Sequence, residues 1–175
     1  MSTLRADGEA VHAELFVRSL TGGSAHGIQQ EVVERLSALA ASGRLDGFDL
    51  HVWGRELPHD SAAARSETGR FVADRLAAFR QWARDNDLSL PAVTTTDRAS
   101  AITEEAYTAT TLPRIALAEY VDGELRHVAP CEGPECHTAV ADRVAALEAG
   151  RDEPDDITRV PVAPGVAAGD GPAAD

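Results

Sequence analysis

The sequence contains no lysine. All 16 basic residues are arginine, against 29 acidic residues, and the formal charge is −13. An acidic excess without lysine suits a protein dissolved in molar salt, where a Debye length of about 3 Å screens carboxylate repulsion. The composition therefore predicts a halophilic protein, with an acidic mesophilic protein as the alternative. A charge of this sign disfavours nucleic-acid binding in dilute buffer but says little about binding in brine.

Long apolar runs and cysteine are also scarce. No stretch approaches the length of a membrane-spanning helix, and residues 1–7 lack the apolar core of a secretory signal. Two cysteines do not make a disulfide framework. Hydrophobic residues reach an ordinary 43% of the 175 positions. We expect a cytoplasmic protein with a flexible N-terminus at 1–10, one α/β domain at 11–150 and a disordered acidic tail at 151–175.

Hydrophobic periodicity predicts alternating strands and helices in the first half of the chain. Strands are predicted over Val11–Leu20 and Phe48–Trp53, because apolar and polar residues alternate there. A helix with an apolar stripe beginning at Ile28 and a terminating Gly43 separates them, so the two strands should be parallel neighbours. A longer helix is predicted to begin near Ser66 or Glu67 and to end around Asn86-Asp87. Its buried stripe would be Phe71, Leu76, Phe79 and Trp82 or Ala83.

The second half predicts further strands, a hairpin and a closing helix. Residues Pro91–Thr96 and Tyr107–Thr111 are rich in β-branched side chains and are predicted to be extended. Asp122-Gly123 between two apolar segments is a strong two-residue hairpin signal. The last helix is predicted from Thr138, as its N-cap, to Gly150.

This order of elements resembles the thioredoxin-like fold, a three-layer sandwich whose mixed sheet ends in a hairpin and a helix. Residues Thr111–Leu117 resemble the segment of that fold in which a cis proline precedes a hairpin strand, and Pro113 would be that proline. An ordinary trans proline opening a strand is the alternative. A ferredoxin-like α/β sandwich with extra strands is the alternative fold.

The resemblance does not extend to redox chemistry. Thioredoxin-like oxidoreductases carry Cys-x-x-Cys at the start of the first helix, where the helix N-terminus lowers the thiol pKa. The matching stretch here is Ser24-Ala25-His26-Gly27, which holds neither thiol. We therefore expect the architecture without dithiol activity.

A second resemblance lies in three short strings. Glu14–Leu20, His51–Gly54 and Leu117–Tyr120 look like a family of small haloarchaeal proteins, some of them labelled helix-turn-helix domain proteins. This resemblance covers most of residues 11–150. It implies an archaeal cytoplasm and a regulatory role, and it implies no catalytic residues.

One cluster of soft metal ligands stands out in the sequence. Cys131, Cys136 and His137 lie within seven residues, with His127 four residues earlier. Zinc takes four nitrogen or sulfur ligands, and Cys-x(2–4)-Cys spacings bring two thiolates to one ion. The cluster thus predicts a zinc-dependent or thiol sensor, with two unrelated thiols on a surface loop as the alternative.

Two histidines on the predicted parallel strands form a weaker candidate site. His12 and His51 would lie near carboxylates such as Asp49 or Glu14, an arrangement able to bind metal or transfer protons. The alternative is two histidines on the polar face of the sheet.

A helix-turn-helix interpretation divides residues 61–85. Ser61–Arg65 would form the first helix, Ser66–Gly69 the turn and residues 70–85 the recognition helix. The DNA-contacting side chains would be Arg70, Arg80, Gln81 and Arg84, since arginine suits phosphate and guanine. The alternative is an amphipathic helix packed on a sheet with a salt-bridged outer face.

Three functional hypotheses follow from the sequence. The favoured one is a non-catalytic cytoplasmic protein that binds another protein or associates with itself. The second is a DNA-binding transcriptional regulator, and the third is the thiol or zinc sensor. No nucleophile elbow, zinc-protease helix or nucleotide-binding loop is present to indicate an enzyme.

Overall fold

The computed structural model describes residues 9–20, 26–100, 102, 105–150 and 160–161. Four helices and ten strands lie in this part of the chain. In chain order they are β1 (Val11–Val17), α1 (His26–Ala41), β2 (Gly47–Val52), β3 (Glu56–Pro58), α2 (Ala62–Arg65), α3 (Glu67–Asp85), β4 (Thr94–Ala99), β5 (Ala106–Thr111), β6 (Ile115–Val121), β7 (Glu124–Ala129), β8 (Cys131–Glu132), β9 (His137–Thr138), α4 (Val140–Glu148) and β10 (Val160–Pro161).

A mixed five-stranded sheet forms the centre of this α/β protein, in the order β10-β7-β6-β1-β2. β1 and β2 are parallel and pair from His12 opposite Gly47 to Val17 opposite Val52. β6 runs antiparallel to β1, β7 antiparallel to β6, and β10 antiparallel to β7. The predicted parallel pair joined through a helix is confirmed.

Alternation along β1 builds a separate core on each face of the sheet. Ala13, Leu15 and Val17 point towards α1 and α4, in a cluster with Leu36 and Val144. The other face carries the second cluster, in which the aromatic side chains pack against α3. Its large members are Phe16, Trp53, Leu76, Phe79, Trp82 and Tyr120. The predicted buried stripe of α3 is confirmed, with Phe71 at its partly buried margin.

The local signals at the hairpin and at the end of α1 behave as the sequence predicts. Asp122 and Gly123 both have positive φ, 52° and 83°, which a type I′ turn requires. Gly43, after α1, also has positive φ. Ser66 caps α3 by accepting a hydrogen bond from the Gly69 amide at 3.0 Å.

A bulge in the hairpin explains one tryptophan contact. Glu119 lies opposite His127 and Tyr120 opposite Leu125, so Arg126 is the extra residue on β7. The Trp82 indole donates a 2.8 Å hydrogen bond to the Arg126 carbonyl. The bulge thereby ties α3 to the outer part of the sheet.

β4 and β5 belong to a second, three-stranded antiparallel sheet in the order β3-β5-β4. The sequence predicts both segments to be extended but does not separate them from the central sheet. All six side chains of β4 are exposed, three of them consecutive threonines. An edge strand of this kind carries too little apolar area to join the main core.

Several expectations need correction. The Leu112–Pro113 bond is trans, and the cis bond of the described residues joins Ala129 to Pro130. Ala139, not Thr138, is the N-cap of α4, where Asp142 accepts the Ala139 amide at 3.0 Å. Ile28 is 58% exposed and lies outside the core.

The chain ends also differ in part from expectation. Val160 and Pro161, predicted to belong to a disordered tail, pair with Leu125 and Glu124 of β7. The remaining tail residues and the 1–8 segment lie outside the described residues.

Candidate functional site

The α3 face of the sheet contains a buried ionic cluster. Arg75 of α3 makes two hydrogen bonds to Glu14 of β1, with N–O distances of 2.9 and 2.8 Å. The Tyr120 hydroxyl donates a third to the same carboxylate at 2.6 Å. The Arg75 guanidinium also lies 4.8 Å from the centre of the Phe71 ring. All three polar groups are thus partnered inside an apolar core.

The cluster holds the Glu14 carboxyl ionised. Burial by itself raises the pKa of this group, but polar contacts with His51, Arg75 and Tyr120 outweigh burial and lower the pKa to about 2. The Tyr120 pKa moves upward, through burial and then through the negative charge of Glu14. A carboxylate and a phenol shifted in these directions do not exchange protons near neutral pH. The cluster therefore anchors α3 rather than performing acid–base chemistry.

A second buried pair lies on the opposite face. Arg143 of α4 makes two hydrogen bonds to Glu119 of β6, at 2.8 and 3.0 Å. Glu119 pairs with Ala13 in the sheet, and Glu14 pairs with Ala118. The two ion pairs thus stand at neighbouring positions on opposite sides of the sheet, one holding each helix layer.

His127 of β7 is buried and lies opposite Glu119 in the sheet register. Its ring centre lies 5.2 Å from the Trp82 ring. Burial, reinforced by the positive charges of Arg143 and Arg126, lowers the His127 pKa to about 3. The imidazole is therefore neutral at physiological pH.

The predicted histidine pair is not formed. His12 lies opposite Gly47 and His51 opposite Phe16, so four residues, or about 13 Å, separate them along the strands. His12 is 2.8 Å from Asp49, whereas His51 lies 3.8 Å from Glu14 and stacks on Phe16. Each histidine faces its own carboxylate, because the parallel register offsets the two positions.

The predicted zinc ligands are divided between the interior and the surface. Cys131 is 2% exposed and belongs to the α3-face core, whereas Cys136 is exposed. His137 is exposed and pairs with Glu132 at 3.0 Å, while His127 is buried beside Trp82. Within the ranges that the structure describes, no three His, Cys, Asp or Glu side chains are arranged to hold a metal ion.

The two helices of the predicted helix-turn-helix are present, but their boundaries differ. α2 has four residues, and Ser66 alone separates it from α3, so Gly69 lies inside α3 and not in a turn. A Cβ at Gly69 would lie 2.0 Å from the Ala63 carbonyl oxygen. The two helices therefore contact each other closely at a residue that must remain glycine.

The predicted DNA-contacting residues do not form one uniform surface. Arg70, Gln81 and Arg84 are exposed, whereas Arg80 is half-buried and donates to Thr95 Oγ1 at 2.9 Å. Gln81 donates to Asp85, and Arg84 donates to Gln81, both at 2.7 Å. The inner face of α3 is committed to the sheet, so only its outer side is accessible.

The buried ion pairs are the feature that sequence reasoning missed. Glu14 and Glu119 each lie in a mostly apolar strand, which was the available signal. Periodicity assigns such a residue to a face. It does not identify the arginine on a distant helix that pairs with it.

No helix of the described chain is long and apolar enough to cross a membrane.

A search of the curated proteins and of the solved structures finds no match. A family model described as a helix-turn-helix domain matches residues 5–152, which is most of the chain. The chain therefore belongs to this helix-turn-helix domain family.

Proposed function

We propose that this chain is a non-catalytic, cytoplasmic protein of thioredoxin-like architecture that acts by binding another protein. The strand order β7-β6-β1-β2, with β1 and β2 parallel and β6 and β7 antiparallel, supports that architecture. A ferredoxin-like sandwich would separate the strands of its βαβ unit, whereas β1 and β2 pair directly here. The acidic, lysine-free composition supports a halophilic, haloarchaeal setting.

The observation that carries this proposal is the outer edge of β2, which pairs with no other strand among the described residues. β2 is the last strand of the central sheet, and its Leu50 and Val52 side chains are 41% and 45% exposed. Ile28 of α1 is exposed as well. An unpaired edge with apolar side chains is able to accept a strand from a partner protein.

Sedimentation and capture from a halophilic cell extract test this proposal. The native chain should form a complex with a protein of the extract or with itself. Replacing Leu50 and Val52 by Gln should abolish that complex. The matched control, Ile102→Gln, changes a residue that is 93% exposed and should leave complex formation intact. A chain that remains monomeric and captures nothing contradicts the proposal.

DNA binding is the second candidate, and the family match favours it. The outer side of α3, with Arg70, Gln81 and Arg84, would supply the contacts. Fluorescence anisotropy with genomic fragments in molar KCl tests this role. Arg84→Gln should weaken binding and reduce the salt dependence by about one phosphate contact, whereas Arg126→Gln, on β7, should change neither. Absence of any binding in molar salt removes this candidate.

A further inference from the structure

Three arginines are brought together at one end of the central sheet. Arg18 follows β1, Arg55 lies between β2 and β3, and Arg114 precedes β6. The Arg18 amide donates to the Arg114 carbonyl at 3.0 Å, and the Leu112 amide donates to the Arg55 carbonyl at 2.9 Å. The backbone thus fixes three segments, distant in sequence, beside one another. We name Arg18, Arg55 and Arg114 the arginine triad.

The triad carries uncompensated positive charge. In the described ranges, no ion pair joins any of its members to a carboxylate, although 29 acidic residues are present in the chain. Desolvation lowers the pKa of Arg18, and the charges of Arg55 and Arg114 lower it further. Elsewhere Arg35, Arg75, Arg98 and Arg143 each have an acidic partner. The triad therefore concentrates positive charge at one end of the sheet in a very acidic protein.

The hydrogen-bonding capacity of Arg18 is incompletely used. One terminal nitrogen donates to the Leu112 carbonyl at 2.6 Å. The Nε atom is buried and has no hydrogen-bond partner. Arg55 and Arg114 are exposed, which leaves their guanidinium groups accessible to a ligand. A buried donor without a partner costs free energy, so Arg18 retains unused hydrogen-bonding capacity beside the two exposed arginines.

The first turn of α1 adds to this positive environment. α1 begins at His26, and the Gln29 side chain lies 3.5 Å from the Arg114 carbonyl oxygen. The amino end of a 16-residue helix carries partial positive charge. The amino end of α1 and the arginine triad therefore both favour a negatively charged ligand.

The geometry points to a phosphoryl-binding site at the arginine triad, in addition to the proposed binding activity at the β2 edge. Three separate guanidinium groups match a multiply charged oxyanion better than a singly charged carboxylate, because each phosphoryl oxygen is able to accept from a different arginine. The phosphoryl group comes either from a small phosphorylated molecule or from a nucleic-acid backbone. Both sources share the recognition chemistry.

Titration of the full-length protein with inorganic pyrophosphate, followed by isothermal calorimetry in molar KCl, tests the site. The native chain should bind pyrophosphate, and the double variant Arg55→Gln/Arg114→Gln should bind at least tenfold more weakly. The matched control Arg65→Gln/Arg126→Gln removes the same charge from other places and should bind within twofold of the native chain. Succinate should bind more weakly than pyrophosphate to the native chain.

Two further measurements separate the possible outcomes. The Nε–H resonance of Arg18 should shift on addition of pyrophosphate, and thermal unfolding should show that the double variant is folded. If an oligonucleotide binds and pyrophosphate does not, while the double variant abolishes oligonucleotide binding, the phosphoryl group belongs to nucleic acid. Equal affinity of the double variant and the control for both probes overturns the proposal. The Leu50 and Val52 replacements should affect neither titration.

Discussion

On each face of the central sheet a buried arginine–glutamate ion pair attaches a helix, but the two glutamates accept hydrogen bonds from different numbers of residues. On the α3 face, the Glu14 carboxylate accepts hydrogen bonds from both Arg75 and Tyr120. On the α4 face, among the described side chains, Arg143 alone donates to Glu119. Screening by molar salt weakens surface ion pairs far more than buried ones. Both helix layers of this acidic protein are therefore attached to the sheet by buried ion pairs, which dissolved salt screens only weakly.

The largest expected effect comes from removing the arginine of the less supported pair. Arg143→Met leaves Glu119 buried without a donor, which should cost about 4 kcal/mol of unfolding free energy. Arg75→Met should cost about 3 kcal/mol, because Tyr120 continues to donate to Glu14. Urea unfolding at constant molar KCl measures both. Arg35→Met, which breaks a surface pair with Glu148, is the control and should cost below about 1 kcal/mol. If Arg75→Met loses more unfolding free energy than Arg143→Met, the expectation that Tyr120 supports Glu14 is wrong.

The extra donor on the α3 face is tested directly by Tyr120→Phe. This change deletes a 2.6 Å hydrogen bond to a charged acceptor and preserves the ring. We expect a loss of about 2 kcal/mol. In the Arg75→Met background the loss should be greater, since the hydroxyl is then a more important donor to Glu14. Simple additivity of the two changes would show that they do not share this carboxylate.

The stability of the fold should depend on pH through His127. Its folded-state pKa of about 3 lies below the ordinary value of 6.5, so the unfolded chain binds the proton first as the pH falls. Stability should therefore decrease below pH 6.5 by up to about 1.4 kcal/mol per pH unit until the folded-state value is reached. Glu14 adds its own loss below about pH 4.5, because its pKa is lowered from 4.5 to about 2.

His127→Gln should flatten the stability profile between pH 6.5 and about pH 5, where the Glu14 contribution is still small. Urea unfolding at a series of pH values measures the slope. His137→Gln, on the exposed strand β9, leaves His127 in place and should keep the native slope. An unchanged slope in the His127 variant contradicts a neutral, buried imidazole.

The smallest expected effect concerns the junction of α2 and α3. Ser66→Ala removes the acceptor of the Gly69 amide and a 2.6 Å hydrogen bond to the Ala63 carbonyl. A lost helix cap should cost about 1 kcal/mol in thermal or urea unfolding. Ser37→Ala, in the middle of α1, removes a hydroxyl that bonds only to its own helix and should change stability by less than about 0.5 kcal/mol. Equal effects of the two variants would show that Ser66 does not act as a cap.

Local rules predicted most elements because their causes are local. The Asp122-Gly123 turn and the Gly43 terminus each depend on the conformational preference of one or two residues. Alternation along β1 correctly assigned its two faces. The end of the sheet at β2 left Leu50 and Val52 exposed, and no local pattern distinguishes an edge strand from a central one.

The candidate sites were predicted less well because they depend on register and distance. Cys131 and Cys136 are close in sequence, yet one is buried and the other exposed. His12 and His51 lie on adjacent strands, yet the register separates them. Two residues that are close in sequence, or that lie on adjacent strands, therefore need not have side chains in contact.

By itself the sequence determined most of the longer strands and helices, the hairpin turn and the absence of a dithiol motif. Hydrophobic period, turn preference and residue identity are properties of short segments. Tertiary structure alone decided that Arg75 meets Glu14, that Arg143 meets Glu119 and that the arginine triad assembles. The two ion pairs join residues that lie 24 and 61 positions apart in the sequence. Only the packing of helices onto a sheet of fixed register brings such residues within hydrogen-bond distance.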